Sequence, residues 1–259
     1  MPMNLKQILE AVTPAMALRA ALYPLHVAKH LVRSTQPHLR GVAYWRAVLG
    51  ALRTPAQVEL PPFGALRSFG GVASVEMGER NSVVAIGENG ALRITPLAPD
   101  LLLIRMQPDG VFPAPFSYSV AKAEGEWPPV EAAVADRERS IEIATSCLSL
   151  RLDKGSGHID VQDGNGHILL TAGECFGCPD GPIGWRVTCG PQSAFYGLGE
   201  KASAINHVGK RFELWNTDPV GYDRDDDPLY LSVPFVMALH EGRAVGLFFD
   251  NSHRSWIDL

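Results

Sequence analysis

Three aspartates, Asp223, Asp225 and Asp227, recur on every second residue, as the first oxygen ligands of a calcium loop do. The rest of that loop fails. Pro228 stands where the sharp turn needs glycine, and Pro234 where a bidentate glutamate is required. Cys175 and Cys178 form a C-x-x-C pair, with Cys189 eleven residues on and His167 eight before, which outlines a zinc knuckle without its second close pair. A loop of reduced thiols is the better reading. Ser193 and Ser203 lie outside any nucleophile-elbow pattern, so Ser-His-Asp catalysis has no support. No metal and no cofactor is expected, and no residue here is assigned a catalytic role.

The carboxylates that remain sit in strands and turns. Glu200 follows two glycines in Tyr196-Gly197-Leu198-Gly199, and Glu213 lies in the next apolar run; both read as sheet-face or loop residues. Asn216, Thr217, Asp218 and Pro219 bring the short polar side chains and the fixed φ of a turn, so on its own Asp218 is an Asx-turn or strand-end cap. Trp215 reads as a packing residue, with a stacking platform as the alternative. Gly197 and Gly199 permit close backbone approach or a bulge, with Tyr196 and Leu198 directed to one face.

Two periodicities divide the chain that must hold these residues. Leu5, Ile8, Leu9 and Val12 fall on one helical face, Thr13-Pro14 opens a second helix, and Val42, Trp45, Val48, Leu49 and Leu52 suggest a third. Residues 1–60 therefore read as a helical leader with a proline-rich linker. From Val72 the texture changes to short β-like runs and turns: Val83 to Ile86, Glu88-Asn89-Gly90, Leu92 to Thr95, and Leu101 to Met106. Phe116, Tyr118 and Val120 alternate with serines, as do Leu148, Leu150 and Leu152 with Ser149 and Arg151. Glycine-rich hairpin connections flank His158 to Gln162. More than ten short strands with no amphipathic helix between them predict a mainly β chain, an antiparallel β-sandwich over residues 61–259, preceded by a short helical N-terminal segment.

Composition narrows the partners. The chain has 259 residues, 23 basic against 28 acidic, for a formal charge of -5, which argues against a general pull on nucleic acid or anionic membrane. Ala11 to Val32 is interrupted by Pro14, Arg19, Pro24, His26 and Lys29, so it fits neither a spanning helix nor a secretion signal. A cytoplasmic location is expected. Four irregularly spaced cysteines do not make a disulfide framework.

The segments Tyr196 to Lys201 (YGLGEK), Phe212 to Asp218 (FELWNTD), Gly221 to Phe235 (GYDRDDDPLYLSVPF), Gly246 to Asn251 (GLFFDN) and Arg254 to Leu259 (RSWIDL) occur in one order. Together they resemble the end of the N-terminal β-domain of glycoside hydrolase family 31, the α-glucosidase and α-xylosidase family. The likeness is strong over about a quarter of the chain and limited to strand texture over residues 72–194. It implies a galactose mutarotase-like sandwich beside a (β/α)8 barrel that lies beyond Leu259, and the strand-like ending at Trp256, Ile257 and Leu259 reads as a truncation before it. GLFFDN and RSWIDL read as strands paired with each other, and Gly221 to Phe235 as a mobile loop that rejoins a strand at Leu229 or Tyr230.

The resemblance also implies a role for Asp218. In the family, the aspartate of the W-N-x-D turn reaches the barrel mouth to contact bound sugar, and an ionised carboxylate accepts two hydroxyl hydrogen bonds more strongly than a neutral group. Asp218 is thus the substrate-binding candidate, with Trp215, Asn216 and Tyr222 as pocket support. Retaining cleavage needs two carboxylates about 5 to 5.5 Å apart, and the family supplies both from its barrel. The expected partner is an α-linked oligosaccharide or glycoside together with that barrel. The alternative is a stand-alone carbohydrate-binding or mutarotase-like sugar-epimerase sandwich, for which His158, His167, His207, His240 and His253 are the acid-base candidates.

Overall fold

The computed structural model describes residues 67–177, 183–219 and 221–259, so the expected helical leader and linker lie outside the described residues. Alternating apolar residues, interrupted every few positions by glycine, proline or aspartate, produce a succession of short strands rather than helices. The first half carries β1 (Arg67–Ser68), β2 (Val72–Met77), β3 (Val83–Gly87), β4 (Gly90–Ala98), β5 (Leu101–Gln107), β6 (Ala133–Asp136), β7 (Ser140–Ala144) and β8 (Leu148–Asp153). The second carries β9 (Ile159–Asp163), β10 (Ile168–Gly177), β11 (Ile183–Thr188), β12 (Ala194–Gly199), β13 (Arg211–Leu214), β14 (Ser232–His240), β15 (Arg243–Phe248) and β16 (Ser255–Asp258).

Every pairing whose register is resolved is antiparallel. Strands β2-β3-β4-β5 form one meander, and β1-β10-β9-β8-β7-β6, with β11 also on β10, form the large sheet. Their inner residues meet in one core: Val83, Ala85, Leu92 and Ile94 from the meander, Ile141, Ile143, Leu150, Leu152, Ile159 and Val161 from the large sheet. The period-2 pattern makes this possible. In β8, Leu150 and Leu152 are buried while Arg151 between them is exposed, and each fully buried Leu or Ile contributes roughly 1.5–3 kcal/mol. The hairpin between β9 and β10 is closed by Asp163, whose carboxylate accepts the backbone N–H groups of His167 and Asn165. The His167 backbone bond is the main reason its carboxyl lies below the ordinary carboxylate range.

A smaller core serves the C-terminal strands. Leu198 of β12, Phe212 and Leu214 of β13 and Val236 of β14 are buried together, with Phe195, Leu247, Phe249, Ile257 and Leu259 packed against them. Here two expectations are corrected. GLFFDN and RSWIDL do not pair with each other: β15 pairs with β14, whereas β16 pairs with β13 through Phe212↔Ile257 and Glu213↔Trp256. The reason is side-chain fit, since that register puts Phe212 and Ile257 on one face and lets Arg254 form an ion pair with Glu213. Nor does the Phe116-Ser117-Tyr118-Ser119-Val120 alternation become a strand. The Ser117 hydroxyl accepts the N–H groups of Ser119 and Val120 and donates to Asp250, so local side-chain bonding replaces a ladder and Phe116 and Tyr118 stay exposed.

Candidate functional site

The chain divides into two compact units. Apart from Ser232, the strands just described belong to the unit that includes 204–214 and 233–259, and residues 200–203 and 215–232 belong to the other. That second group contains the turn and acidic loop. Two arms of it run side by side: the Thr217 N–H donates to Leu229 O at 3.0 Å, and the Thr217 hydroxyl donates to Pro228 O at 2.8 Å. Asn216 Oδ1 accepts the N–H of Ser232 at 2.7 Å. Beyond the turn, the Tyr230 hydroxyl donates to Pro219 O at 2.8 Å, and Gly221 N–H closes back on Pro219 O at 3.0 Å. Leu229 is the buried side chain between these bonds.

Asp218 sits between Thr217 and Pro219, both tied to the opposite arm. Its side chain is exposed, and among the described residues its carboxylate accepts no hydrogen bond. The local role expected of an Asx residue falls instead to Asn216, whose amide oxygen is bonded across the loop. A carboxylate braced on both sides along the chain, with its lone pairs directed to no donor among the described residues, is suited to accept hydrogen bonds from a ligand. Trp215, expected to pack, is 46% exposed, and Tyr222 is 44% exposed with its ring edge-on to Tyr230 at 6.0 Å. Trp215, Asn216 and Tyr222 therefore share the short segment that carries Asp218, two of them with aromatic surface open to solvent.

The acidic loop has an anchor that the sequence did not announce. Lys201 Nζ donates to Asp227 Oδ1 at 2.6 Å; the lysine side chain is 1% exposed and the aspartate 16%. The Asp225 N–H donates to Ala202 O, and the Glu200 N–H to Leu231 O, so 200–202 and the loop are stitched at three points. Asp226 Oδ2 caps the Asp223 N–H. Among the described residues no cluster of three metal-ligating side chains occurs. Lys201 belongs to the YGLGEK motif, but only its distance in sequence from Asp227, 26 residues, hid the pair. Removing one member of a buried pair leaves an uncompensated charge, at a cost of roughly 3–5 kcal/mol. Lys201→Met is therefore expected to expose residues 221–228 to limited proteolysis, and Lys201→Met combined with Asp227→Leu to recover most of the resistance. A single variant cleaved no faster than the parent would refute the clamp.

Other residues fall elsewhere. Glu213 is engaged by Arg254, and Glu200 is exposed. His207 is buried with Nε2 3.3 Å from Gly197 O and its ring against Phe212; His167 is bonded to Asp163; His240 stands 3.8 Å from its exposed neighbour Glu241; His158 and His253 are exposed. Cys175 lies in β10, Cys178 lies outside the described residues, and Cys189 is partly buried, which raises its thiol pKa and keeps it protonated.

Antiparallel sheets packed about one apolar core are the architecture of a galactose mutarotase-like domain. Residues 91–258 match the glycosyl hydrolase 31 N-terminal galactose mutarotase-like domain, and the chain belongs to that family. Alpha-glucosidase 2 of Bacillus thermoamyloliquefaciens is 27% identical over 184 residues, 66% of this chain and 22% of the relative. Alpha-glucosidase of Saccharolobus solfataricus is 36% identical over 63 residues, 24% of this chain and 9% of the relative. Among solved structures, the family 31 dextranase of Flavobacterium johnsoniae, seen in complexes with isomaltotriose and with glucose, superposes with a TM-score of 0.67 at 26% identity over 74% of this chain and 24% of its own. The chain thus spans about a quarter or less of the length of these relatives. Among the described residues no helix is long and apolar enough to cross a membrane.

Proposed function

We propose that this domain serves an α-glycosidase of family 31 as the support of its catalytic barrel, and that Asp218 accepts hydrogen bonds from hydroxyls of the α-linked sugar bound there. The observation that carries the reading is the exposed Asp218 carboxylate on a turn whose two neighbours, Thr217 and Pro219, are hydrogen-bonded to the opposite arm. Bracing matters because a ligand-binding group that is already in place loses little freedom on binding. Trp215 and Tyr222 would offer apolar ring surface to the same sugar.

A second feature supports a neighbouring domain. On one face of the β14–β15 pair, Val233, Phe235, Leu239 and Phe248 are each at least 36% exposed, an apolar surface of the kind that a partner covers. The chemistry of cleavage is assigned to the barrel, because retention requires an opposed pair of carboxylates across the bond. The purified 259-residue chain is accordingly expected to hydrolyse an aryl α-glucoside no faster than buffer, and to acquire that activity only in a polypeptide that includes the barrel. Saturable turnover by the chain alone would overturn the division of labour.

A further inference from the structure

The sandwich carries a groove of about 590 Å³ that lies apart from Asp218 in the chain and shares no residue with its turn. Its apolar wall is Trp127-Pro128-Pro129, and its polar groups are Lys122, Glu131 and Ser146. Proline fixes φ, so this wall is stiff before any ligand arrives. It is also pinned through its backbone carbonyls. Arg80 Nη2 donates to Trp127 O at 2.5 Å and to Pro128 O at 3.2 Å, and Asn81 Nδ2 donates to Val130 O at 3.0 Å. Both donors are non-glycine residues in the left-handed region, with φ of 58° and 57°, a conformation that costs free energy and is retained where the surroundings demand it.

The groove's chemistry selects its ligand. One ammonium and one carboxylate leave it without net charge, which disfavours anions and cations alike. Lys122 Nζ lies over the Trp127 ring, 4.3 Å from its centroid, so the indole holds a strong donor in place at the groove, with the acceptor Glu131 in the same lining. Apolar surface beside charged donors and acceptors matches a neutral polyhydroxylated ring, whose C–H face packs on Pro128 and Pro129 beside Trp127 while its hydroxyls bond to Glu131 and to the Lys122 ammonium held over the indole. We propose that this groove is a second glycan-binding site, taking a neutral pyranose oligosaccharide independently of Asp218.

The test uses the 259-residue chain with tryptophan indole N–H groups followed by NMR during titration with maltotriose and with isomaltotriose. A saturable shift of the Trp127 indole signal is expected with at least one of them, weakened about tenfold in Lys122→Met and Glu131→Gln, whose side chains are at the surface. Trp127→Ala abolishes the saturable component, and Asp218→Ala leaves the Trp127 response unchanged. Absence of saturation, an unaltered response in the Lys122 and Glu131 variants, or saturation by a proline-rich peptide in place of the sugars would overturn the proposal. Loss of the response in Asp218→Ala would overturn its independence, whereas an intact Trp127 response in that variant of the chain, beside a lowered kcat/KM in the barrel-bearing enzyme, supports two separate sites.

Discussion

Asp218→Ala lowers kcat/KM for an α-linked glycoside by about 10- to 100-fold in an enzyme that carries this domain with its barrel. The magnitude follows from the bonds lost: a hydrogen bond to a charged group contributes roughly 1.5–3 kcal/mol, and every 1.4 kcal/mol is about a factor of ten. The fold should not notice. Asp218 is exposed, and the turn is held by Thr217, Tyr230 and Asn216 rather than by the Asp218 carboxylate. Asp218→Asn keeps an acceptor but loses the charge, so it should fall between parent and alanine variant. The decisive measurement is kcat/KM beside a thermal melt. An alanine variant within about twofold of the parent, with an unchanged melting temperature, would remove Asp218 from the substrate site.

Gly197→Ala should be the most damaging small substitution in the C-terminal strands. Gly197 has φ +117°, outside the range a side-chain-bearing residue adopts easily. A Cβ there would also run into the carbonyl oxygen of Phe235, on the neighbouring strand β14. Backbone strain of about 1–3 kcal/mol and overpacking of about 1–3 kcal/mol together suggest a loss of roughly 2–6 kcal/mol, a large share of the roughly 5–15 kcal/mol that typically holds a domain. Next to it, Leu198 is fully buried at φ 68°, so β12 cannot relax without withdrawing a core residue. Equilibrium urea unfolding of parent and variant reports the effect. Equal midpoints would mean that β12 and β14 are not apposed as described.

In that same glycine strand, close backbone approach at Gly197 is legible from the sequence, because glycine in an apolar run has few other uses, and it is the Phe235 carbonyl that approaches. The shared face expected of Tyr196 and Leu198 is not delivered: Leu198 alone is fully buried, since its positive φ breaks the alternation. Strands β3, β4, β5 and β8 lie where periodicity puts them, to within a few residues. The return from the acidic loop comes at Ser232, later than Leu229 or Tyr230, because Leu229 and Tyr230 are occupied in bracing Thr217 and Pro219.

What the residues determined by themselves is therefore the β character, the hairpin meander, and the placing of Asp218 in a polar segment outside the strands, all of which depend on interactions between near neighbours: side-chain alternation, glycine and proline dihedrals, short polar groups. What the tertiary structure decided is which strands meet and which charges pair. β16 joins β13 rather than β15, Lys201 crosses 26 residues to hold Asp227, and Arg80 and Asn81 reach almost 50 residues along the chain to pin the Trp127 wall. Such partners are selected by packing and by the cost of leaving a buried charge unmet, and both are properties of the assembled surface that no local stretch of sequence contains.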